Sequence, residues 1–311
     1  MLVIAAPGQG AQAPGFLAPW VELPGVAGRL AAWSGLAGCD LVRYGTTAGA
    51  DEIRDTSVAQ PLLVAAGLAA AEATFGAAGR MAECADAAAG HSVGELTAGA
   101  VAGVLSADDA LRLVQVRGSA MAAAAAVSPT GMTAVLGGDE AQVLAAIEEH
   151  GLTAANVNGS GQIVAAGTLE QLAALEADKP EGVRRVVALK VAGAFHTRHM
   201  APAVDTLAKA AQELTPGDPT ITYVSNKDGQ AIATGAEVLE RLVGQVANPV
   251  RWDLCMETFK ELGVTALLEV CPGGTLTGLA KRALPGVKTL ALKTPDDLDA
   301  ARELIAEHAN A

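Results

Sequence analysis

The chain has 311 residues, 51% of them hydrophobic and 18% charged, with a formal net charge of −13 from 21 Lys+Arg and 34 Asp+Glu. That length suits one large domain carrying a smaller insert, and the negative balance argues against nucleic acid and anionic membranes as partners. Aromatic residues make up only 3% of the chain, so small aliphatic side chains must fill the core. The four cysteines, Cys39, Cys84, Cys255 and Cys271, stand in no CxxC or metal-ligand spacing, which predicts free thiols in a reducing cytoplasm and no metal site. Met1 to Ala6 meets Pro7-Gly8 too soon for a signal peptide, and no apolar run reads as long enough for a membrane span. The expectation is a cytoplasmic monomer.

In chain order, Leu2–Ala6 is a short apolar run ended by Pro7-Gly8 and predicts a buried strand. Residues 61–73 and their neighbours predict an alanine-rich helix, 85–89 a strand ahead of a Gly-His-Ser turn, and 93–104 a helix. Ser106-Ala107-Asp108-Asp109 resembles a capping box that opens a helix to about residue 126, after which Ser128-Pro129-Thr130-Gly131 breaks the chain. The rhythm then changes to strand 133–136, helix 140–150, strands 152–157 and 162–166, helix 169–177 and strand 184–189. This βαββαβ order predicts a ferredoxin-like subdomain over residues 128–191, inserted into a core formed by 1–127 and 192–311. A strand at 220–224, helices near 235–246 and 253–262, and a strand at 266–270 complete that core. Strands and helices alternate outside the insert, so the predicted class is α/β, with a parallel sheet covered by helices on both faces.

Gly90-His91-Ser92-Val93-Gly94 matches G-x-S-x-G, a strand–turn–helix elbow that exposes a serine hydroxyl. The glycines leave room for the turn, and the helix starting at Val93 aims free N–H groups at the site, where they can stabilise an oxyanion. The motif serves hydrolases and transferases alike. Pro7-Gly8-Gln9-Gly10-Ala11-Gln12-Ala13 also satisfies G-x-G-x-x-A, but Pro14-Gly15 stands where a dinucleotide fold needs a helix. The loop is either a plain tight turn or a source of the Gln9 backbone N–H for the same oxyanion hole. Arg117 shares a helical face with Ala110, Leu113, Val114 and Met121, so its guanidinium is buried and needs an anion. An internal salt bridge and a clamp on a substrate carboxylate meet that need equally well. His196, in Ala194-Phe195-His196, can reach back to Ser92, with His199 as the rival base. No Asp or Glu has a setting that suits the third member of a triad, which leaves a dyad whose histidine is oriented by a backbone carbonyl.

With these residues in hand, the chain resembles the malonyl-CoA:acyl carrier protein transacylases of bacterial type II fatty acid and polyketide synthesis. The likeness runs along essentially the whole chain. It is carried by Pro7-Gly8-Gln9-Gly10, Gln60-Pro61, residues 90–94, Gln115-Val116-Arg117-Gly118, residues 156–167 and 193–196, Asn248-Pro249-Val250 and residues 269–274. The resemblance implies an α/β-hydrolase-like core, Ser92 as acylated nucleophile and His196 as base and later acid. It implies Arg117 as partner of the malonyl carboxylate, and the N–H groups of Gln9 and Val93 as the oxyanion hole. Gln245 would orient His196 through its backbone carbonyl, and Gln60, His91 and Asn158 would lie around the substrate. The substrates implied are malonyl-CoA and phosphopantetheinylated acyl carrier protein, with no cofactor. Methylmalonyl-selective relatives tend to carry Tyr-Ala-Ser where this chain has Gly193-Ala194-Phe195, so Phe195 is expected to crowd an α-methyl group.

Acyl carrier proteins are acidic and so is this chain; docking therefore needs local cations, with Arg184, Arg185 and Lys190 the first candidates and Lys281 and Arg282 the second. Two rival classes remain at this point. A serine esterase or thioesterase fits the elbow but has no need of Arg117, and a non-enzymatic scaffold has no need of Ser92, His196 and Arg117 together.

Overall fold

Alternation along the first strand sets the layers. β1 (Leu2–Ala6) sends Leu2, Ile4 and Ala6 to one face and Val3 and Ala5 to the other, and both sets are fully covered. A strand buried on both faces belongs inside a parallel sheet with helices on either side. The computed structural model of the protein, which describes residues 1–76 and 81–308, has that sheet. Its spatial order is β11 (Lys288–Ala291), β10 (Ala266–Glu269), β1, β2 (Ala87–Gly90), β7 (Thr222–Val224) and β8 (Ala231–Ile232), all parallel except β8 at the edge.

Between β1 and β2 run α1 (Ala18–Val21), α2 (Val26–Ala37), α3 (Leu41–Thr46), α4 (Thr56–Phe75) and α5 (Met81–Cys84), and after β2 come α6 (Gly94–Val101) and α7 (Ala107–Ala125). Residues of α4, α6 and α7 cover the Leu2 and Ile4 face. The second sheet follows: β3 (Thr130–Gly137), α8 (Glu140–Glu149), β4 (Thr153–Val157), β5 (Gln162–Thr168), α9 (Leu169–Ala177) and β6 (Val183–Ala188). Its strands lie in the order β6-β3-β5-β4 and are antiparallel, with a fifth strand, β9 (Val250–Arg251), added parallel to β4. Then come α10 (Ala201–Ala211), α11 (Gly235–Gly244), α12 (Trp252–Glu261), α13 (Thr275–Ala283) and α14 (Leu298–His308). Trp252, Cys255 and Phe259 of α12 and Leu276 and Leu279 of α13 cover the Val3 and Ala5 face.

One sequence expectation gains its bounds and another needs correction. The helix read over residues 61–73 and their neighbours starts at Thr56, where the Asp55 side chain accepts from the Ser57 N–H and caps it. Pro61 therefore sits inside the helix and forgoes one backbone bond. The same helix, at 20 residues and a mean hydropathy of 1.4, is long and apolar enough to cross a membrane by length and composition. Its apolar stretch is 89% buried within the fold, so that surface is spent on the core. The helix expected from the Ser106 cap is present: Ser106 Oγ accepts from the Asp109 N–H at 3.0 Å and donates to the Asp109 carboxylate at 2.7 Å.

Candidate active site

The elbow is built by close backbone approach. A Cβ on Gly94 would sit 2.2 Å from the Ala6 carbonyl oxygen, and one on Gly90 would sit 2.0 Å from the Gly94 carbonyl carbon, so neither position admits a side chain. Between them Ser92 takes φ 53°, a left-handed conformation that costs a non-glycine residue energy. Its neighbours hold it there. The Ser92 N–H donates to Asn226 Oδ1 at 2.8 Å, Asn226 Nδ2 donates to the Gly90 carbonyl at 2.6 Å, and the Ser92 carbonyl accepts from Gln245 Nε2 at 3.0 Å.

His196 is also left-handed, at φ 60°, with its N–H on the Val246 carbonyl at 3.1 Å. Its Nε2 stands 2.7 Å from Ser92 Oγ, and its Nδ1 2.8 Å from the Gln245 carbonyl oxygen. A carbonyl only accepts, so Nδ1 carries the proton and Nε2 is free to take one from Ser92. Burial first, then the Arg117 charge, holds the His196 pKa down at about 3, against the pull of the Gln245 carbonyl. The imidazole is therefore a neutral base at pH 7. His199, the rival, donates its backbone N–H to Thr197 Oγ1 and does not line the cleft around Ser92.

Arg117 is 2% exposed, and its guanidinium faces amides and a hydroxyl. Nη1 donates to Gln60 Oε1 at 2.5 Å, and Nη2 donates to Gln245 Oε1 at 2.7 Å and to Ser92 Oγ at 3.4 Å. Among the described residues it has no ion-pair partner, so the internal salt bridge is not the arrangement here. Burial lowers its pKa to about 10, with Glu95 opposing, and it remains a cation at pH 7.

Around these three groups lies a cleft whose lining includes Gln9, His91, Val93, Met121, Met132 and Phe195. The backbone N–H groups of Gln9 and Val93 have no acceptor among the described residues. Gln60 is buried and its Nε2 rests on Met121 Sδ at 3.4 Å. His91 Nε2 pairs with Asn158 Oδ1 at 2.8 Å, and burial lowers the His91 pKa. Arg184, Arg185 and Lys190 are exposed on and just after β6, and Lys281 and Arg282 are exposed in the last turn of α13. Lys190 lines a second cavity, which shares Gln9, Leu189 and Val191 with the cleft.

Three features escaped the sequence reading: Glu95, Asn226 and the Gln245 side chain. Glu95 left a signal, since an acidic residue three positions after Ser92 faces inward on a helix whose neighbours are nearly all buried. Asn226 and the Gln245 amide left none, being single polar residues at a strand end and in a helical turn.

A serine held on an elbow, a neutral histidine 2.7 Å away and a cation with no ion-pair partner among the described residues can take up an acyl group whose far end is negative. The comparisons give the class. The model of the acyl transferase domain family matches residues 23–295, and the chain belongs to that family and is an acyltransferase. Within the family it belongs with the malonyl CoA-acyl carrier protein transacylases. It is 52% identical over 304 residues to the enzyme of that name from Mycobacterium tuberculosis, covering 96% of this chain and 98% of the relative. It is 53% identical over 292 residues to the one from Mycolicibacterium smegmatis, covering 93% and 100%. The crystal structure of the Mycobacterium tuberculosis enzyme superimposes with a TM-score of 0.92, covering 97% of this chain and 99% of that one. A malonyl-transacylase solved in complex with a type II polyketide acyl-carrier protein is 32% identical, with a TM-score of 0.89 and coverage of 97% and 99%.

Proposed function

We propose that this acyltransferase moves a malonyl group from malonyl-CoA to the phosphopantetheine thiol of acyl carrier protein, through a malonyl ester on Ser92. The observation that carries the reading is Arg117: a buried cation without an ion-pair partner among the described residues, 3.4 Å from the hydroxyl that faces His196. An enzyme acting on neutral acyl groups has no use for it.

The malonyl carboxylate is held by the Arg117 guanidinium. As Ser92 Oγ attacks the thioester carbon, His196 Nε2 takes its proton, and the developing oxyanion is received by the Gln9 and Val93 N–H groups. Collapse expels the CoA sulfur, which takes the proton back from His196. The carrier-protein thiol then gives its proton to His196 and attacks the ester; collapse returns the proton to Ser92 Oγ. This is a two-stroke ping-pong reaction that uses only groups of the chain and no cofactor. Gln60 and Gln245 hold Arg117, and the Gln245 carbonyl holds His196, while His91 and Asn158 border the acyl group.

We read the parallel sheet with residues 1–127 and 192–311 as an α/β-hydrolase-like core, and residues 128–191 as a ferredoxin-like subdomain; the β6-β3-β5-β4 order supports the second label. Carrier-protein docking is assigned to the cations near the subdomain joint, Lys190 first because it lines the cavity that adjoins the cleft. The protein is taken to act as a cytoplasmic monomer.

The deciding experiment is intact-protein mass after brief exposure to malonyl-CoA, beside Ser92→Ala. One added malonyl group, absent from the variant and discharged by carrier protein, is the expected result. Free CoA and malonate without an adduct would refute it. Donor selectivity gives a further expectation. Phe195 is nearly buried in the cleft wall, so Phe195→Ser should raise loading from methylmalonyl-CoA by about 10- to 100-fold, the value of one relieved methyl clash. A variant that still rejects that donor would remove Phe195 as the determinant.

A further inference from the structure

We propose that Glu95 is a positioning residue for acyl transfer: its buried carboxylate locks the Gln245 amide in the single orientation that serves Arg117 and Ser92 together, and so sets selectivity for a carboxylate-bearing acyl donor. The proposal rests on the reading of Arg117 given above.

Glu95 lies one helical turn past Ser92 and is 1% exposed. Its Oε1 accepts from the Asn226 N–H at 2.5 Å, and its Oε2 accepts from Gln245 Nε2 in a short contact. Both partners grip the nucleophile. Asn226 holds the Ser92 N–H and the Gly90 carbonyl, and Gln245 Nε2 also donates to the Ser92 carbonyl. One carboxylate thus anchors both sides of the strained turn without touching a reacting atom.

The amide of a glutamine is nearly symmetrical in shape, so only its partners decide which end is oxygen. An ionised carboxylate can only accept. Together with the Ser92 carbonyl, which also only accepts, it draws the Gln245 NH₂ toward itself and leaves Oε1 facing Arg117 Nη2 at 2.7 Å. A protonated or amide side chain at position 95 can donate as well as accept and holds the NH₂ less firmly, so the amide is no longer pinned where Oε1 meets Arg117. The array also solves an electrostatic problem. Glu95 is the opposing charge for Arg117, but it acts through the Gln245 amide, which is polarised at both ends. A direct ion pair would occupy the guanidinium edge that the substrate carboxylate needs.

The lock depends on pH. Arg117 from α7, Tyr223 from β7 and Cys255 from α12 face Glu95, and Lys227, Glu240 and Arg241 line the cavity that it borders. Burial is the largest influence and raises Glu95 to about 7. The acceptor form, and with it malonyl loading, is therefore gained as pH rises through about 7.

The test is the rate of Ser92 acylation from malonyl-CoA and from acetyl-CoA, across the neutral pH range, in wild type, Glu95→Gln and Gln245→Leu. The leucine variant removes the amide and keeps the backbone carbonyl that faces His196. Both variants should lower the malonyl-to-acetyl ratio by about 10- to 100-fold, the effect of misplacing one or two charge-assisted hydrogen bonds. The acid limb of the wild-type malonyl profile should be missing from Glu95→Gln. Folded variants that keep the wild-type ratio, or lose both donors equally, overturn the proposal. If Glu95→Gln does not fold, Gln245→Leu decides alone by the same ratio. A wild-type protein that takes no malonyl group would instead overturn the function proposed above.

Discussion

Arg117→Ala is expected to lower kcat/KM for malonyl-CoA by about 10²- to 10³-fold while changing that for acetyl-CoA by less than about tenfold. The asymmetry follows from what the guanidinium faces. In the substrate-free enzyme it directly contacts two amide oxygens and the Ser92 hydroxyl, and the Glu95 charge reaches it only through the Gln245 amide, so its removal strands no directly paired anion. With a malonyl group in place, its removal leaves a carboxylate dry and unpaired, which is far costlier. An acetyl group has no such end to strand. Parallel single-turnover measurements with the two donors give the ratio directly, and equal losses would make Arg117 a structural residue of the α4–α7 contact. Arg117→Lys should recover little, because one ammonium cannot span Gln60, Gln245 and a substrate carboxylate at once.

His196→Ala should cost about 10⁴-fold in Ser92 acylation, with both donors affected alike. No neighbour can replace it. His91 is engaged with Asn158, and Glu95 is turned away from the Ser92 hydroxyl toward Asn226 and Gln245. Because His196 is held neutral down to about pH 3, it contributes no acid limb near its usual titration range in the wild-type profile. Stability carries the cost instead. The unfolded chain takes up a proton at the ordinary histidine value of 6.5 that the folded chain refuses until about 3, so stability falls as pH falls through that interval. Replacing His196 with a neutral residue should flatten this acid dependence, which thermal midpoints across the interval would record. An unchanged slope would mean that the buried imidazole is charged in the folded state.

How much of this was legible in advance depends on the kind of signal. The elbow was legible because three constraints coincide in five residues: two positions that admit no Cβ and one serine between a strand and a helix. The βαββαβ segment was legible through hydrophobic period, and its four main strands and two helices fall within a few residues of the expected limits. Strands β8 and β9 were not, since two residues carry no period. Helices α1 and α2 escaped for a different reason: α1 is a single turn, and α2 is entered and left through glycines, Gly25 and Gly38, with no side-chain cap to announce it. In the site, charged and nucleophilic residues could be picked out one by one. The amide network that ties them together could not, because Asn226 and Gln245 acquire meaning only when strands distant in sequence bring them beside Ser92.

The small strand β9 has a consequence for exchanging parts between relatives. Arg251 donates its N–H to the Asn226 carbonyl at 2.8 Å while pairing with Val157 of the second sheet. The same two-residue strand therefore ties the layer that holds Ser92 and Asn226 to the second sheet. Segment 128–191 is contiguous in sequence but not self-sufficient as a module. A chimera that imports it without a matching residue pair 250–251 would seat a foreign β4 against β9, and any misfit would be felt at Asn226 and from there at the serine. The natural unit of exchange is the segment together with its distant fifth strand.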